Sequence, residues 1–297
     1  MKTRLLALLS LLVAALLAVP GGLIAYAGPV RTSQPQVNST VYLPIVVRAP
    51  TCPTSSGNNY AQGPVFQRDT DNPVRPAWNH ADKNISLRGY NLNTSESKSL
   101  VNVGSDDPTM PPQLRTMFNP DRIPPFSNVY RINNWNWAPS PDPGTRGDEV
   151  TNPPVTVLGL QTTPGETLQA PGSGYDIGGG AEVIVLFADS DTVALKYTRD
   201  DSAGPNGYLL HVDNICTDPN LLAKYNSLDN AVRNTYHGTP DNNLDYDLVT
   251  LSEQQAFGTA RDSEIRVAIV DSGTTQDPRS CFEFWVWQYP APGGSCP

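Results

Sequence analysis

The chain has 297 residues, with 20 lysines and arginines against 29 aspartates and glutamates, a formal net charge of −9. An acidic surface of this kind repels phosphate backbones and excludes nucleic acid and other anionic polymers as partners. Charged residues are only 16 % of the chain while prolines number 29 and glycines 23, which excludes long helices and points to short strands joined by ordered loops.

The first 27 residues read as a signal peptide. "MKTR" is a basic start, Leu5 to Val19 an apolar run, and Ala25 and Ala27 of "AYA" a small-x-small cleavage site before Gly28. The apolar run is short for a bilayer span and ends at "PGG". No later segment is long and apolar enough to cross a membrane, so the mature chain is expected to be secreted, extracellular and without a transmembrane segment. Cleavage after Ala27 removes Lys2 and Arg4 and takes the charge from −9 to −11. The four cysteines, Cys52, Cys216, Cys281 and Cys296, fit two disulfides in an exported chain. None lies in a CxxC pair or near a histidine at ligand spacing, which argues against a thiolate metal site. Of the three pairings, Cys52 with Cys296, tying the two ends, and Cys216 with Cys281 is the one expected, although spacing does not decide it.

Residues 28–60 read as a linker rich in Ser, Thr, Pro, Gln and Asn, with one apolar octet, Val41 to Arg48, expected to dock on the body as a short strand. Residues 61–150 read as an irregular β and loop wrap. "NISLRGYNL" and "SNVYRINNWNWA" carry strand character, and the prolines between them forbid regular structure over most of that length. Residues 151–297 read as a β domain. "PPVTVLGL" begins a strand, and "TTPGETLQAPGSGYDIGGG" is a turn-rich connection. "AEVIVLFA" and "TVALKYTR" flank "DSD" as a hairpin, and "GYLLHVDNIC" is a third strand. The one helix is expected over about 218–236. Asp218 is its N-cap and Pro219 its first residue, and Leu221, Leu222, Tyr225, Leu228 and Val232 share a face. "LVTLSEQQAFGTA", "SEIRVAIVDSG" and an aromatic final strand, "CFEFWVWQYP", complete the set. The expected fold class is mainly β: an antiparallel barrel or sandwich with one inserted helix and an irregular N-terminal wrap.

The chemistry is sparse. There are three histidines, His80, His211 and His237, and no GxSxG elbow, Walker loop, HExxH or Rossmann fingerprint. "GSGYDIGGG" does not follow a strand and open a helix, so its glycines are read as positive-φ turn residues rather than a phosphate cradle. "GSGYD" and "EIRVAIVDSGTTQDP", with "AFGTA" before the second, resemble the lysostaphin-like (duplicated hybrid motif) zinc endopeptidases over roughly Gly172 to Pro278. That family cuts peptidoglycan cross-bridges. Its barrel opens with an HxGxD-type motif and closes with an HxH strand. Asp176 matches the aspartate, Gly172 stands where the first histidine should be, Glu264 replaces the catalytic histidine and Arg266 the ligand histidine. The resemblance therefore implies a degenerate zinc site, because an arginine donates only and repels a cation. It implies an ion pair of Arg266 with Glu264 and Asp176 in the metal's place. The residues alone also allow a plainer reading, with Glu264 and Arg266 on the outward face of a strand whose Ile265, Val267 and Ile269 point inward. Ser173 to Gly180, Leu195 to Asp201 and Asp271 to Ser280 resemble phrases of a secreted bacterial family to which no activity is attached. That likeness implies export and a shared fold.

Three further candidates remain. His211, Asp213 and Asp176 are a candidate rebuilt metal site, against a hydrogen-bonded strand histidine. Asp176, Asp189, Asp191, Asp213 and Glu264 are candidate carboxylates for glycoside hydrolysis. Trp135 with Trp137, and Trp285 with Trp287, place indole pairs on one strand face, for sugar stacking if exposed and for the core if buried. The expected function is a secreted non-catalytic protein, a cell-envelope module that binds a glycan or peptidoglycan or acts structurally, with no cofactor. The alternative is a secreted hydrolase, either a zinc-dependent endopeptidase with shuffled ligands or a carboxylate-based glycosidase. The sequence names neither ligand nor oligomeric state.

Overall fold

β-branched and aromatic runs bounded by Gly, Pro, Asn and Asp give short strands in chain order. The structure, a computed structural model, describes residues 51–65, 76–103, 111–139, 142–204, 206–235 and 246–286. The leader, the Val41 to Arg48 octet, His237, Trp287 and Cys296 lie outside the described residues. The elements are β1 (Ala61–Pro64), β2 (Tyr90–Leu92), β3 (Phe126–Asn136), β4 (Thr145–Glu149), β5 (Val157–Gln161), β6 (Thr167–Gln169), β7 (Val183–Ala188), β8 (Thr192–Lys196), β9 (Tyr208–Asp213), β10 (Ile215–Thr217), α1 (Pro219–Thr235), β11 (Asp247–Leu251), β12 (Ala256–Ala260), β13 (Glu264–Asp271), β14 (Thr274–Thr275) and α2 (Cys281–Phe284).

The fold is mainly antiparallel β. The large sheet runs β1-β11-β7-β8-β9-β13-β5-β3-β2, with β14 on β13 and β4 on β3, and a small sheet runs β10-β12-β6. Among the described residues the path of the large sheet ends at β1 and β2 and does not close, so a sandwich and not a closed barrel fits. β1 pairs with β11 and β3 with β5, so the 61–150 stretch supplies strands to the same sheet as the residues that follow it.

Strand alternation sorts the sheet into two faces. Ile265, Val267 and Ile269 of β13, Leu210 and Val212 of β9, Val193 and Leu195 of β8, and Leu158 and Leu160 of β5 point one way and are fully buried. Leu168 and Phe257 of the small sheet join the same core, as do Leu221 and Tyr225 of α1. Each such side chain contributes about 1.5–3 kcal/mol by leaving water. α1 begins as the sequence dictates: the Asp218 carboxylate accepts from the amides of Asn220 at 2.8 Å and Leu221 at 3.2 Å. The hairpin at Asp189 to Asp191 and the positive φ of Gly174, Gly178, Gly179 and Gly180 also match expectation.

Three expectations are corrected. Cys216 pairs with Cys52, not Cys281, because Asn214, at φ 63, turns the chain from β9 into β10 and carries Cys216 to the 51–60 segment. Cys281 is disulfide-bonded as well, to a partner outside the described residues. "CFEFWVWQYP" does not open as a strand: Cys281–Phe284 is a short helix, with Phe284 and Trp285 plugged into the core. "NISLRGYNL" gives a 3-10 turn, Ile85–Arg88, before the short strand β2.

Candidate functional site

The opposite face of the large sheet carries a polar stripe. Glu264, Arg266 and Ala268 of β13 alternate with the core residues. Arg266 faces Asp213 on β9 and Gly159 on β5, Asp213 faces Thr192 on β8, Gly159 faces Asn128 on β3, and Ala268 faces His211. Gly159 gives the stripe its shape. A Cβ there would lie 2.6 Å from Glu264 Oε2 and 2.8 Å from Ser127 Oγ, so only glycine lets the carboxylate lie across the strand. Glu264 accepts hydrogen bonds from Ser127 Oγ at 2.5 Å, Asn128 Nδ2 at 2.7 Å and the Tyr130 hydroxyl at 2.6 Å, and pairs with Arg266 Nε at 3.3 Å. Burial pushes its pKa up, but the bonds from Ser127, Tyr130 and Asn128 and the charge of Arg266 outweigh that and hold it below the usual carboxylate range. Arg266 lies against the rings of Tyr90 and Tyr130, at 5.2 and 5.3 Å from their centroids, and reaches Asp213 at 3.7 Å. Burial, then the Asp213 carboxylate, pushes the Tyr90 hydroxyl well up.

The expected ion pair is therefore half right. Arg266 pairs with Glu264, but its second carboxylate is Asp213 and not Asp176. Asp176 Oδ1 accepts from the amides of Gly178 at 2.7 Å and Gly180 at 3.2 Å and shapes the glycine turn, which Arg199 Nη2 holds through the Gly178 carbonyl at 2.6 Å. Tyr175, beside it, lines a cleft with Asp271 at the far end of β13, and Arg266 is five residues back, about 16 Å at strand rise. Gly172 is buried, its amide donating to Thr116 Oγ1 at 2.9 Å, and any Cβ there would strike the Glu253 carboxylate. The rebuilt metal site is not assembled either. His211 and Asp213 share a face of β9, but Asp213 is engaged by Arg266 and by Thr192 Oγ1 at 2.6 Å, and Asp176 lies elsewhere. No three His, Cys, Asp or Glu side chains converge as a metal-binding group among the described residues.

The candidate hydrolytic carboxylates are dispersed into structural duties. Asp189, pushed up to about 6 first by burial and also by Asp191, accepts from the amides of Asp191 at 2.9 Å and Thr192 at 2.8 Å and so folds the hairpin. Asp191 pairs with Arg261 at 3.0 Å.

The tryptophans divide. Trp285 is fully buried, donates to the Pro278 carbonyl at 2.8 Å and packs on Phe126, so it cannot stack a sugar. Trp137 is 44 % exposed at the end of β3, with Trp135 edge-on at 6.4 Å and the His80 ring at 4.9 Å. Trp78, two residues before His80, is 52 % exposed. Asn134 and Asn136 are exposed as well, but alternation places them on the other face of β3 from Trp135, over Gly147 of β4. The sequence names His80 but does not place it, because it comes from an irregular segment and nothing local marks it as a neighbour of Trp137. Ser127, Asn128 and Tyr130 escaped the sequence reading, although β3 alternation puts Asn128 and Tyr130 on one face.

No family model, curated protein or solved structure matches the chain.

Proposed function

We propose that this chain is a secreted, non-catalytic module of the cell envelope that binds a glycan or peptidoglycan. The observation that carries the reading is the exposed indole of Trp137, steadied by Trp135 and His80. A flat, exposed indole face suits the C–H faces of a pyranose chain. The signal-peptide pattern of residues 1–27 and the Cys52–Cys216 disulfide support export. In the lysostaphin-like resemblance Glu264 and Arg266 occupy histidine positions, and the commitment of Glu264 to Ser127, Asn128 and Tyr130 supports a lost zinc site.

The test is sedimentation of the purified protein with insoluble peptidoglycan and with insoluble polysaccharides, with and without a chelator. Binding is expected to survive the chelator. Trp137→Ala is expected to weaken it roughly tenfold, about 1.4 kcal/mol. Undiminished binding by the variant would remove the aromatic patch from the account. Soluble fragments released from the polymer would overturn the non-catalytic assignment.

A further inference from the structure

Asp271 stands where the strand pattern calls for an apolar side chain. It closes β13 two residues after Ile269, on the parity of Ile265, Val267 and Ile269, and pairs with Tyr208, which precedes Leu210 on the core face of β9. Tyr197 follows Leu195 of β8 in the same way, and its amide donates to the Tyr208 carbonyl at 3.0 Å. At this end the core face opens into a cleft of about 340 Å³, lined by these three residues with Thr198, Ser272 and Tyr175 from the glycine turn. That volume lies at the small end of the range that holds small-molecule ligands.

Asp271 carries the one formal charge on this lining. It is half-buried, its Oδ1 accepts from Ser272 Oγ at 3.2 Å, and Oδ2 has no partner among the described residues while staying in contact with solvent. The cation that feels its charge, Lys196, lies by alternation on the other face of the sheet, is fully buried and makes no hydrogen bond among the described residues. Arg199 is committed to the carbonyls of Ile177, Gly178 and Pro64. The inner tyrosines spend their hydroxyls elsewhere: Tyr197 donates to the Pro171 carbonyl at 2.8 Å and Tyr208 to Glu283 at 3.4 Å. Tyr175, 40 % exposed, gives the cleft an accessible ring. The charges behind the inner rings are acidic, for burial and then Glu182 and Glu253 push the Tyr197 hydroxyl well up.

A guest that fills the cleft strips water from Asp271. A carboxylate desolvated without a counter-charge is costly, so a neutral guest is penalised, an anion repelled and a cation favoured. With Oδ1 engaged by Ser272, one oxygen is open, which suits the point charge of an ammonium rather than the two-pronged bond of a guanidinium. One carboxylate is too poor a donor set for a metal ion. The exposed ring of Tyr175 offers apolar contact to the carbons that carry the nitrogen. We propose that this cleft binds a primary ammonium on an aliphatic stem, such as a lysine-like side chain presents, with the nitrogen on Asp271 and the stem against Tyr175. The site goes beyond the glycan reading and does not rest on it.

The experiment is an NMR titration of the full chain, following the backbone amide signals of Gly207, Asp271 and Ser272. The probes are the Nα-acetyl methylamides of lysine, of norleucine, which keeps the stem and lacks the ammonium, and of arginine. The lysine derivative is expected to move the signals and to bind more tightly than the other two, and Asp271→Asn is expected to weaken it about tenfold. Equal binding of either other probe, or undiminished binding by Asp271→Asn, overturns the ammonium assignment, and signals unmoved by every probe overturn the site. The three probes are compared on the unaltered chain, so the decision stands even where the variant fails to fold. Sedimentation with peptidoglycan before and after acetylation of its free amines separates the sources. Retention that falls on acetylation, and no further in Asp271→Asn, assigns an amine borne by the polymer; unchanged retention, with the lysine derivative bound, assigns a small free amine. Loss of polymer binding in Trp137→Ala bears on the glycan reading alone, and the lysine titration decides this site whichever way that falls.

Discussion

His211 gives up its proton when the chain folds. In the unfolded chain the imidazole titrates near 6.5; in the fold, burial first and then Arg88 and Lys196 hold it down to about 3. Below pH 6.5 the unfolded state therefore takes up a proton that the folded state refuses. The contribution is fully present above pH 6.5 and is lost progressively as pH falls towards 3, with a limiting slope of about 1.4 kcal/mol per pH unit. Carboxylates with lowered pKa, such as Glu264, act in the same direction, so the decisive quantity is a difference. Urea unfolding from pH 7 to pH 4 is expected to show a shallower loss for His211→Gln than for the wild type, by nearly one proton. Parallel curves would mean that the folded imidazole charges readily. The sequence places His211 and Asp213 on one face of a strand, but it cannot say that one is sealed and the other ion-paired, since both depend on chains that cross from β3, β13 and the 76–88 segment.

Glycine in "VLGLQ" is locally unfavourable, since β5 is fully buried over Val157 to Leu160 and a larger side chain would ordinarily strengthen it. Its reason lies two strands wide: β13 sends the Glu264 carboxylate over Gly159 to reach Ser127 and Asn128 of β3. Gly159→Ala should therefore cost about 1–3 kcal/mol rather than stabilise by reducing chain entropy. Paired with Glu264→Ala in a double-mutant cycle, it should recover part of that loss, because the clash is with the carboxylate; additive losses would place the strain elsewhere. The elements themselves were largely legible. α1 has its Asp218 cap and apolar face in plain sequence, and β7, β8 and β13 are β-branched runs between turn residues. The end of the chain was not legible, because alternating aromatics satisfy a strand pattern and a plug equally well. Trp285 is a plug because Arg279, in a buried pair with Asp277 at 2.8 Å and bonded to the Ser97 carbonyl at 2.8 Å, pins the preceding turn.

At the scale of the whole molecule, one covalent link fastens the start of the described chain to its middle. Cys52 and Cys216 are 164 residues apart, and around them Ser56 Oγ and Asn58 Nδ2 donate to Asp218 at 2.8 and 2.7 Å. The same aspartate thus caps α1 and anchors the 51–60 segment, whose Tyr60 carbonyl accepts from Lys224 Nζ at 2.8 Å. Replacing both cysteines by serine should lower stability by about 2–4 kcal/mol. Limited proteolysis should then cut first between Cys52 and Tyr60; cleavage elsewhere, with the segment intact, would show that the hydrogen bonds suffice. Among the described residues no helix is long and apolar enough to cross a membrane. Composition and local pattern by themselves determined the acidic charge, the short-strand architecture, helix α1 and the turn glycines, because these depend on backbone preference and on periods of two and 3.6 residues. Only the tertiary structure decided the open sandwich, the Cys52–Cys216 link, the exposure of Trp137 against the burial of Trp285, and the sealing of His211. Each of these is set by which distant strands become neighbours, and pairing partners are chosen by packing across the sheet, which no local pattern encodes.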